Sequence, residues 1–358
     1  MDNLNLYIFI PVLSFIILFI IANPVRKIAK RINLVDNPGA RKIHVNKVPL
    51  VGGILIILST SLSLIITSEL SSIIDSQKVL VTGSLILLFM GIIDDKYDLR
   101  SLVKLSVQLA LAHYAFVSGI RIESMFGIFG YYQISFAAQY ALTLIIIVGV
   151  MNAYNLMDGI DGLSAGLTII GLIAYTIIAI ILGLNGLSLL FLAVLGSLIA
   201  FLRFNFSKKN KVFMGDAGSL VLGFLVVVSG ISLTQEANNT IYIQPTMAVV
   251  LGVLALPVGD SLRVYRRRIK AGYSPFRADR SHFHHLMLYF GISHKKASLA
   301  IILISILLLT VSVLFGTYYN FTYGVISMLL VFIVASKIVA LNYQLIYWSG
   351  KIKDMELK

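Results

Sequence analysis

Apolar residues run along this chain in stretches too long for the core of a soluble domain. The first covers Tyr7–Ala22, and later ones such as Leu163–Leu182 are just as unbroken. A helix needs about 17–25 mostly apolar residues to cross the hydrocarbon of a bilayer. Eleven stretches approach that length, centred near Leu13, Ile57, Ile86, Ala110, Ile145, Leu172, Leu195, Val226, Leu251, Ile306 and Leu330. Gly and polar residues shorten the third to fifth. The pattern predicts an all-α polytopic membrane protein of about 10–11 transmembrane helices, forming a single domain over residues 1–358. Tyr7–Ala22 lacks the basic flank and small-residue cleavage site of a signal peptide, so it is read as a retained helix. No repeat or low-complexity tract breaks the pattern.

The polar segments between these stretches carry the orientation. With the N-terminus placed outside, 26 of the 29 Lys and Arg fall on inward connections or the C-terminal tail. Such asymmetry is the positive-inside signature, and it puts the C-terminus in the cytoplasm. Composition agrees: 58% of residues are hydrophobic and 13% charged, against roughly a quarter charged in soluble domains. The net charge of +13 therefore serves orientation and anionic lipid first, and nucleic acid is not an expected partner. There is no Cys, which removes disulfides, zinc–thiolate sites and iron–sulfur clusters. The same topology sends Asp94, Asp95, Asp98, Asp158, Asp161, Asp216, Asp260 and Asp279 to the inner face. Loops 23–49, 94–104, 151–163, 203–216 and 263–297 are thus expected to build an active site there.

Four segments could carry chemistry. Asp94-Asp95 closes an apolar stretch, with Lys104 following. Adjacent helical residues point about 100° apart, so the two carboxylates need not share a ligand; solvation, capping and, for Lys104, snorkelling are the plain alternatives. Asn152-Ala-Tyr-Asn-Leu-Met-Asp-Gly-Ile-Asp-Gly162 interrupts apolar sequence on both sides. Its Asn155, Asp158 and Asp161 offer hard oxygen donors suited to Mg²⁺, although a polar turn would look similar. Phe213-Met-Gly-Asp-Ala-Gly-Ser219 puts Asp216 at a helix start, where a carboxylate and free N–H groups can meet a metal–phosphate complex or simply form a cap. The last segment runs from Ser274 to His285 and holds Arg280, His282, His284 and His285. Without Cys to complete a zinc site, Arg280 beside three His favours anion binding. Carboxylates for Mg²⁺ and cations for phosphate on one membrane face fit metal-assisted chemistry on a phosphate ester with a lipid co-substrate.

In order and sidedness, these segments make the chain resemble the polyprenyl-phosphate N-acetylhexosamine-1-phosphate transferases, the group containing WecA, TagO and MraY. The match also takes in Asp36-Asn-Pro-Gly-Ala-Arg-Lys42-Ile-His44, Pro49 and Gly52-Gly53. The Pro275–His285 loop is similar to the WecA type. The resemblance implies transfer of a sugar 1-phosphate, most simply GlcNAc-1-phosphate, from a UDP-N-acetylhexosamine to undecaprenyl phosphate, with release of UMP. It implies Mg²⁺ (Mn²⁺ as a substitute) held by Asn155 and Asp216. Asp94 and Asp95 would lie beside the lipid phosphate, Lys104 would contact phosphate, and Asp158 and Asp161 would shape the nucleotide and metal site. Asn205 would contact the nucleoside; Arg280, His282, His284 and His285 would bind the pyrophosphate and sugar. The expected location is a bacterial inner membrane, with a homodimer left open.

A phosphate monoester has its second pKa near 6, so the lipid acceptor is largely a dianion at neutral pH. Alignment and charge neutralisation then matter more than a general base. Another UDP-N-acetylhexosamine or UDP-MurNAc-pentapeptide is the alternative donor. An anionic-solute transporter is the rival from another class, and it would place its ionisable groups nearer mid-membrane in paired broken helices.

Overall fold

The computed structural model describes residues 3–36, 47–275, 277, 279 and 281–356, with side chains from Asn5 to Ile346. It is a helical bundle: α1 (Asn3–Arg31), α2 (Gly52–Ile66), α3 (Leu70–Ser76), α4 (Lys78–Tyr97), α5 (Ser101–Val117), α6 (Phe136–Met157), α7 (Leu163–Ile181), α8 (Asn185–Asn205), α9 (Gly215–Ala237), α10 (Ile243–Lys270), α11 (Phe283–Tyr289), α12 (His294–Tyr318) and α13 (Phe321–Glu356). All eleven expected centres fall on separate helices. Eight of these are long and apolar enough to cross a membrane, or nine when the bent α2–α3 pair is taken as one span. The expected 10–11 is reached only by adding α4 and α5. Lys78, Asp94, Asp95 and Lys96 crowd the ends of α4, and α5 is a 17-residue helix. Two short antiparallel pairs complete the fold: β1 (Val35–Asp36) with β2 (Val48–Pro49), and β3 (Ser124–Ile128) with β4 (Tyr131–Gln133).

Helix ends differ from those the hydropathy pattern predicts. The expected 23–49 loop begins later, because α1 continues through Arg26, Lys27 and Lys30 to Arg31. Likewise α10 runs to Lys270 rather than stopping before Arg263, and α6 continues past Met151 to Met157. Hydropathy marks where lipid contact stops, whereas the backbone ladder continues while its side chains find water or protein partners. The second predicted span breaks: α2 and α3 meet at 113°, with Ser68 in the left-handed region at φ +62°.

The bundle is organised around α9, in which 94% of the most apolar window is buried, against 17% in the peripheral α13. Lipid tails are as apolar as Leu, so helix association rests on close packing and interhelical hydrogen bonds worth about 0.6–2 kcal/mol each. Both occur. Ser14 of α1 donates to the Ala193 carbonyl of α8 at 2.6 Å, and Ser59 of α2 shares a 2.7 Å bond with Ser197. On α4, a Cβ at Gly91 would collide with the Ala217 backbone of α9; glycine lets those helices touch beside the site. The entry to α2 is stitched to the start of α9 by Gly52 N–H to Phe213 O (2.9 Å), Gly53 N–H to Met214 O (3.1 Å) and Phe213 N–H to Pro49 O (3.0 Å).

Candidate active site

The 100° offset of Asp94 and Asp95 gives them different partners. Asp94, with its side chain 3% exposed, accepts from the Leu99 N–H and from Lys104 Nζ, both at 2.8 Å. Asp98 ends α4 in the left-handed region, and α5 begins at Ser101. That short reversal lets Lys104, in the first turn of α5, reach back to Asp94. Its Nζ also lies 3.5 Å from Asp216 Oδ2. Asp95 turns to α9 and accepts the N–H groups of Asp216 (2.9 Å) and Ala217 (3.3 Å). First-turn N–H groups have no acceptor within their own helix, so Asp95 is an N-cap supplied by another helix. Gly215 sits at φ +73°, and a Cβ there would strike the Asp95 carboxylate. Asp216 is therefore fixed by its backbone while its side chain stays 36% exposed at the opening.

The α6–α7 break is narrower than the Asn152–Gly162 interruption suggests. Asn152 lies inside α6 and donates to Gln108 of α5 at 2.8 Å, tying helices together. Asn155, a turn later, donates to Ser219 Oγ of α9 at 3.0 Å and lies within hydrogen-bonding reach of the Asp216 carboxylate. Asp158 closes the helix. Burial pushes its carboxyl well above the ordinary range, and the charges of Asp216, Asp95 and Asp161 add to the push. For Asp161, burial also acts upward, but hydrogen bonds from His294 and Lys211 outweigh it and hold the group below its usual value. The Lys211 Nζ–Asp161 Oδ2 distance is 2.7 Å and that from His294 Nδ1 is 3.4 Å. Ser298 of α12 donates to the Asp161 carbonyl at 2.6 Å.

Asn205, at the end of α8, is 4% exposed. Its Oδ1 accepts the Gly162 N–H at 2.6 Å, and its Nδ2 donates to Val212 O at 2.9 Å. Both ends of the amide thus meet backbone, holding the 158–162 turn against the segment that leads into α9.

The histidine loop docks through Asp260, a fully buried carboxylate of α10. It accepts from His282 Nδ1 (2.9 Å), Arg263 Nη2 (2.6 Å) and the Phe283 N–H (3.2 Å). The rings of His282 and His284 lie parallel at 5.9 Å, and His284 meets His285 at 4.2 Å. Burial, with His285 and His282 alongside, lowers His284 to about 3, so its imidazole is neutral. His284 abuts Gly159, leaving no room there for a side chain, which joins the histidine loop to the Asp158–Asp161 turn. Farther out, burial works against the ionised Asp279, yet Arg268, Ser281 and Arg267 hold it far below the carboxylate range. Arg280, and residues 37–44 of the Asp36–His44 segment, lie outside the described residues.

Among the described residues, no three His, Asp or Glu converge as a ready metal cage. Mg²⁺ is commonly held by one or two carboxylates together with substrate phosphates. Asp216 with Asn155 suits that mode, and the two carboxylates facing the single charge of Lys104 leave negative charge for a cation to offset. Three further residues joined this site only in three dimensions: Lys211, Arg263 and His294. Asp260, already placed at the inner face, and Ser219, at the end of the Phe213–Ser219 segment, gained their partners there. The first three resemble ordinary loop or helix-end residues until the chain folds.

Carboxylates, two lysines and imidazoles meeting at the helix ends of a multi-span bundle define a membrane protein built to handle phosphorylated compounds. Residues 78–234 match the family model described as Glycosyl transferase family 4. The undecaprenyl-phosphate alpha-N-acetylglucosaminyl 1-phosphate transferase of Escherichia coli K12 is 32% identical over 294 residues, covering 81% of this chain and 78% of the relative. The relative of that name in Yersinia pestis is 33% identical, covering 81% and 79%. In Bacillus subtilis 168 a probable undecaprenyl-phosphate N-acetylglucosaminyl 1-phosphate transferase is 32% identical, covering 82% and 80%. The chain belongs to the polyprenyl-phosphate N-acetylhexosamine-1-phosphate transferase family.

Proposed function

We propose that this protein transfers N-acetylglucosamine 1-phosphate from its UDP-linked donor to undecaprenyl phosphate, releasing UMP and starting a lipid-linked cell-envelope glycan. The observation that carries the reading is Lys104, 2.8 Å from Asp94 and 3.5 Å from Asp216, at a helix junction of a chain whose relatives are named for this reaction. The distribution of Lys and Arg supports an active site on the cytoplasmic face of a bacterial inner membrane.

In this scheme an oxygen of the lipid phosphate bonds to the β-phosphorus of the donor. The β-phosphorus–oxygen bond to the α-phosphate breaks, and the electron pair leaves with UMP. Asp94 holds Lys104, whose ammonium faces phosphate oxygens. Asp95 holds the start of α9 and so places Asp216; with both oxygens on α9, it acts by position rather than as a base. Asn155 and Asp216 would hold Mg²⁺, which when bound neutralises pyrophosphate charge and polarises the β-phosphate. Asp158 and Asp161 shape the nucleotide end, with Asn205 bracing their turn. Arg280, His282, His284 and His285 would bind the pyrophosphate and sugar. Preorganised charge and alignment supply the rate enhancement.

The test uses purified protein in nanodiscs with undecaprenyl phosphate, Mg²⁺ and a series of UDP-sugars. UMP release and lipid-linked product are expected with UDP-N-acetylglucosamine. Absence of UMP from every donor, or undiminished turnover in Asp216→Ala, would overturn the reading.

A further inference from the structure

An ionised side chain inside a membrane helix needs a reason, because its placement is expensive. Asp260 has two visible ones. Its Oδ1 receives the Arg263 guanidinium through Nη2 at 2.6 Å and Nε at 3.1 Å, and its Oδ2 lies 2.9 Å from His282 Nδ1. Arg263 is itself held: Nη2 donates to the Ser281 carbonyl at 2.6 Å, and the guanidinium lies 4.9 Å from the centre of the Phe283 ring. A carboxylate only accepts hydrogen bonds, so the hydrogen of a neutral His282 must sit on Nδ1. That leaves Nε2, which is buried and has no partner. Buried polar atoms are nearly always paired, and an Arg–Asp pair that merely braced the loop would not need an imidazole turned this way.

We propose that Asp260, locked by Arg263, is a positioning residue that fixes the tautomer of His282 and presents the Nε2 lone pair as an acceptor to a sugar hydroxyl of the nucleotide donor. The inference rests on the functional reading above for its ligand. Asp260→Asn separates this role from simple packing. Arg263 and the Phe283 N–H keep the single amide oxygen, so the NH₂ group turns to His282 and donates to Nδ1. The hydrogen then moves to Nε2, and the ring presents the wrong face of its chemistry. A comparable loss of tautomer control is severe in the Ser-His-Asp triad.

The experiment is ¹⁵N NMR of histidine-labelled protein in nanodiscs, with His282 assigned by the signal lost in His282→Gln. Wild type is expected to show hydrogen on Nδ1 and a His282 shift on adding UDP-N-acetylglucosamine. Asp260→Asn is expected to show hydrogen on Nε2 and a KM for the UDP-sugar raised roughly 10- to 100-fold, the range for loss of a group that orients a ligand, with the KM for undecaprenyl phosphate unchanged. Hydrogen on Nε2 in wild type, no shift with the nucleotide sugar, or an Asp260→Asn protein with Nδ1–H retained and donor KM within twofold would overturn the proposal. Should Asp260→Asn fail to fold, the two wild-type signals decide it. Absence of turnover by wild type with every UDP-sugar refutes the functional reading, while the resting tautomer still judges the Asp260–His282 pair.

Discussion

Asp95→Asn is the sharpest single test of how this site is assembled. In the structure, the carboxylate accepts the N–H groups of Asp216 at 2.9 Å and Ala217 at 3.3 Å. These belong to the first turn of α9, where no intrahelical acceptor exists. Hydrogen bonds to a charged group contribute about 1.5–3 kcal/mol net, and neutral ones about 1 kcal/mol. The amide keeps one oxygen, so the substitution removes one charged bond and weakens the other. Adding the lost attraction to the positive end of α9, the start of the helix should be destabilised by about 2 kcal/mol. At 1.4 kcal/mol per tenfold, opening there becomes about 30-fold more frequent. Hydrogen–deuterium exchange in nanodiscs, resolved to residues 215–218, reads this directly. Turnover should fall, because Asp216 is placed by that backbone. Wild-type exchange at 215–218 would refute the capping argument. Turnover that recovers as pH rises would show instead that Asp95 is a free base whose loss hydroxide can replace.

Three further outcomes follow from the geometry. Gly91→Ala forces α4 from the Ala217 backbone; overpacking costs about 1–3 kcal/mol, and both a lower melting temperature and reduced turnover are expected, with wild-type values in both as the contrary result. Lys211→Met removes the 2.7 Å partner of Asp161 and should weaken nucleotide binding, read by calorimetry with UMP, more than it changes the KM for the lipid acceptor. For His284, held at about 3 by burial against about 6.5 when unfolded, the unfolded chain binds a proton between those values that the folded chain does not. Its stabilising contribution is complete above pH 6.5 and is lost as pH falls towards 3. Wild type in nanodiscs should therefore lose more melting temperature between pH 6.5 and 4.5 than His284→Gln, and equal losses would refute the assignment.

The site was partly legible before folding. Asp94, Asp95, Lys104, Asn155, Asp158, Asp161 and Asp216 all stood out as polar residues at the rims of apolar stretches, and the structure gathers them where those rims meet. The division of labour among them was not legible. Asp95 as a cap for α9 depends on Gly91 and Gly215 letting two helices approach, which no local pattern reveals. That the Asn205 amide joins Gly162 to Val212 was equally hidden. Asn152, prominent in the interruption, pairs with Gln108 of α5 instead. Helix ends were displaced for a common reason, since Arg26, Arg263 and Asn155 are polar but remain in the backbone ladder.

What the chain determines by itself is the class of solvent it needs and the positions of its long helices. Those follow from the length of its apolar runs against bilayer thickness and from local backbone hydrogen bonding. The family, too, is written in the order of its short motifs. What only the tertiary structure decides is which polar group answers which. Asp260 and His282 are separated by 22 residues, Asp95 and Asp216 by 121, and each of these pairings forms only when separate elements close. The physical reason is that a buried charge is tolerable only beside its partner, and partners are set by packing in space rather than by neighbours in sequence.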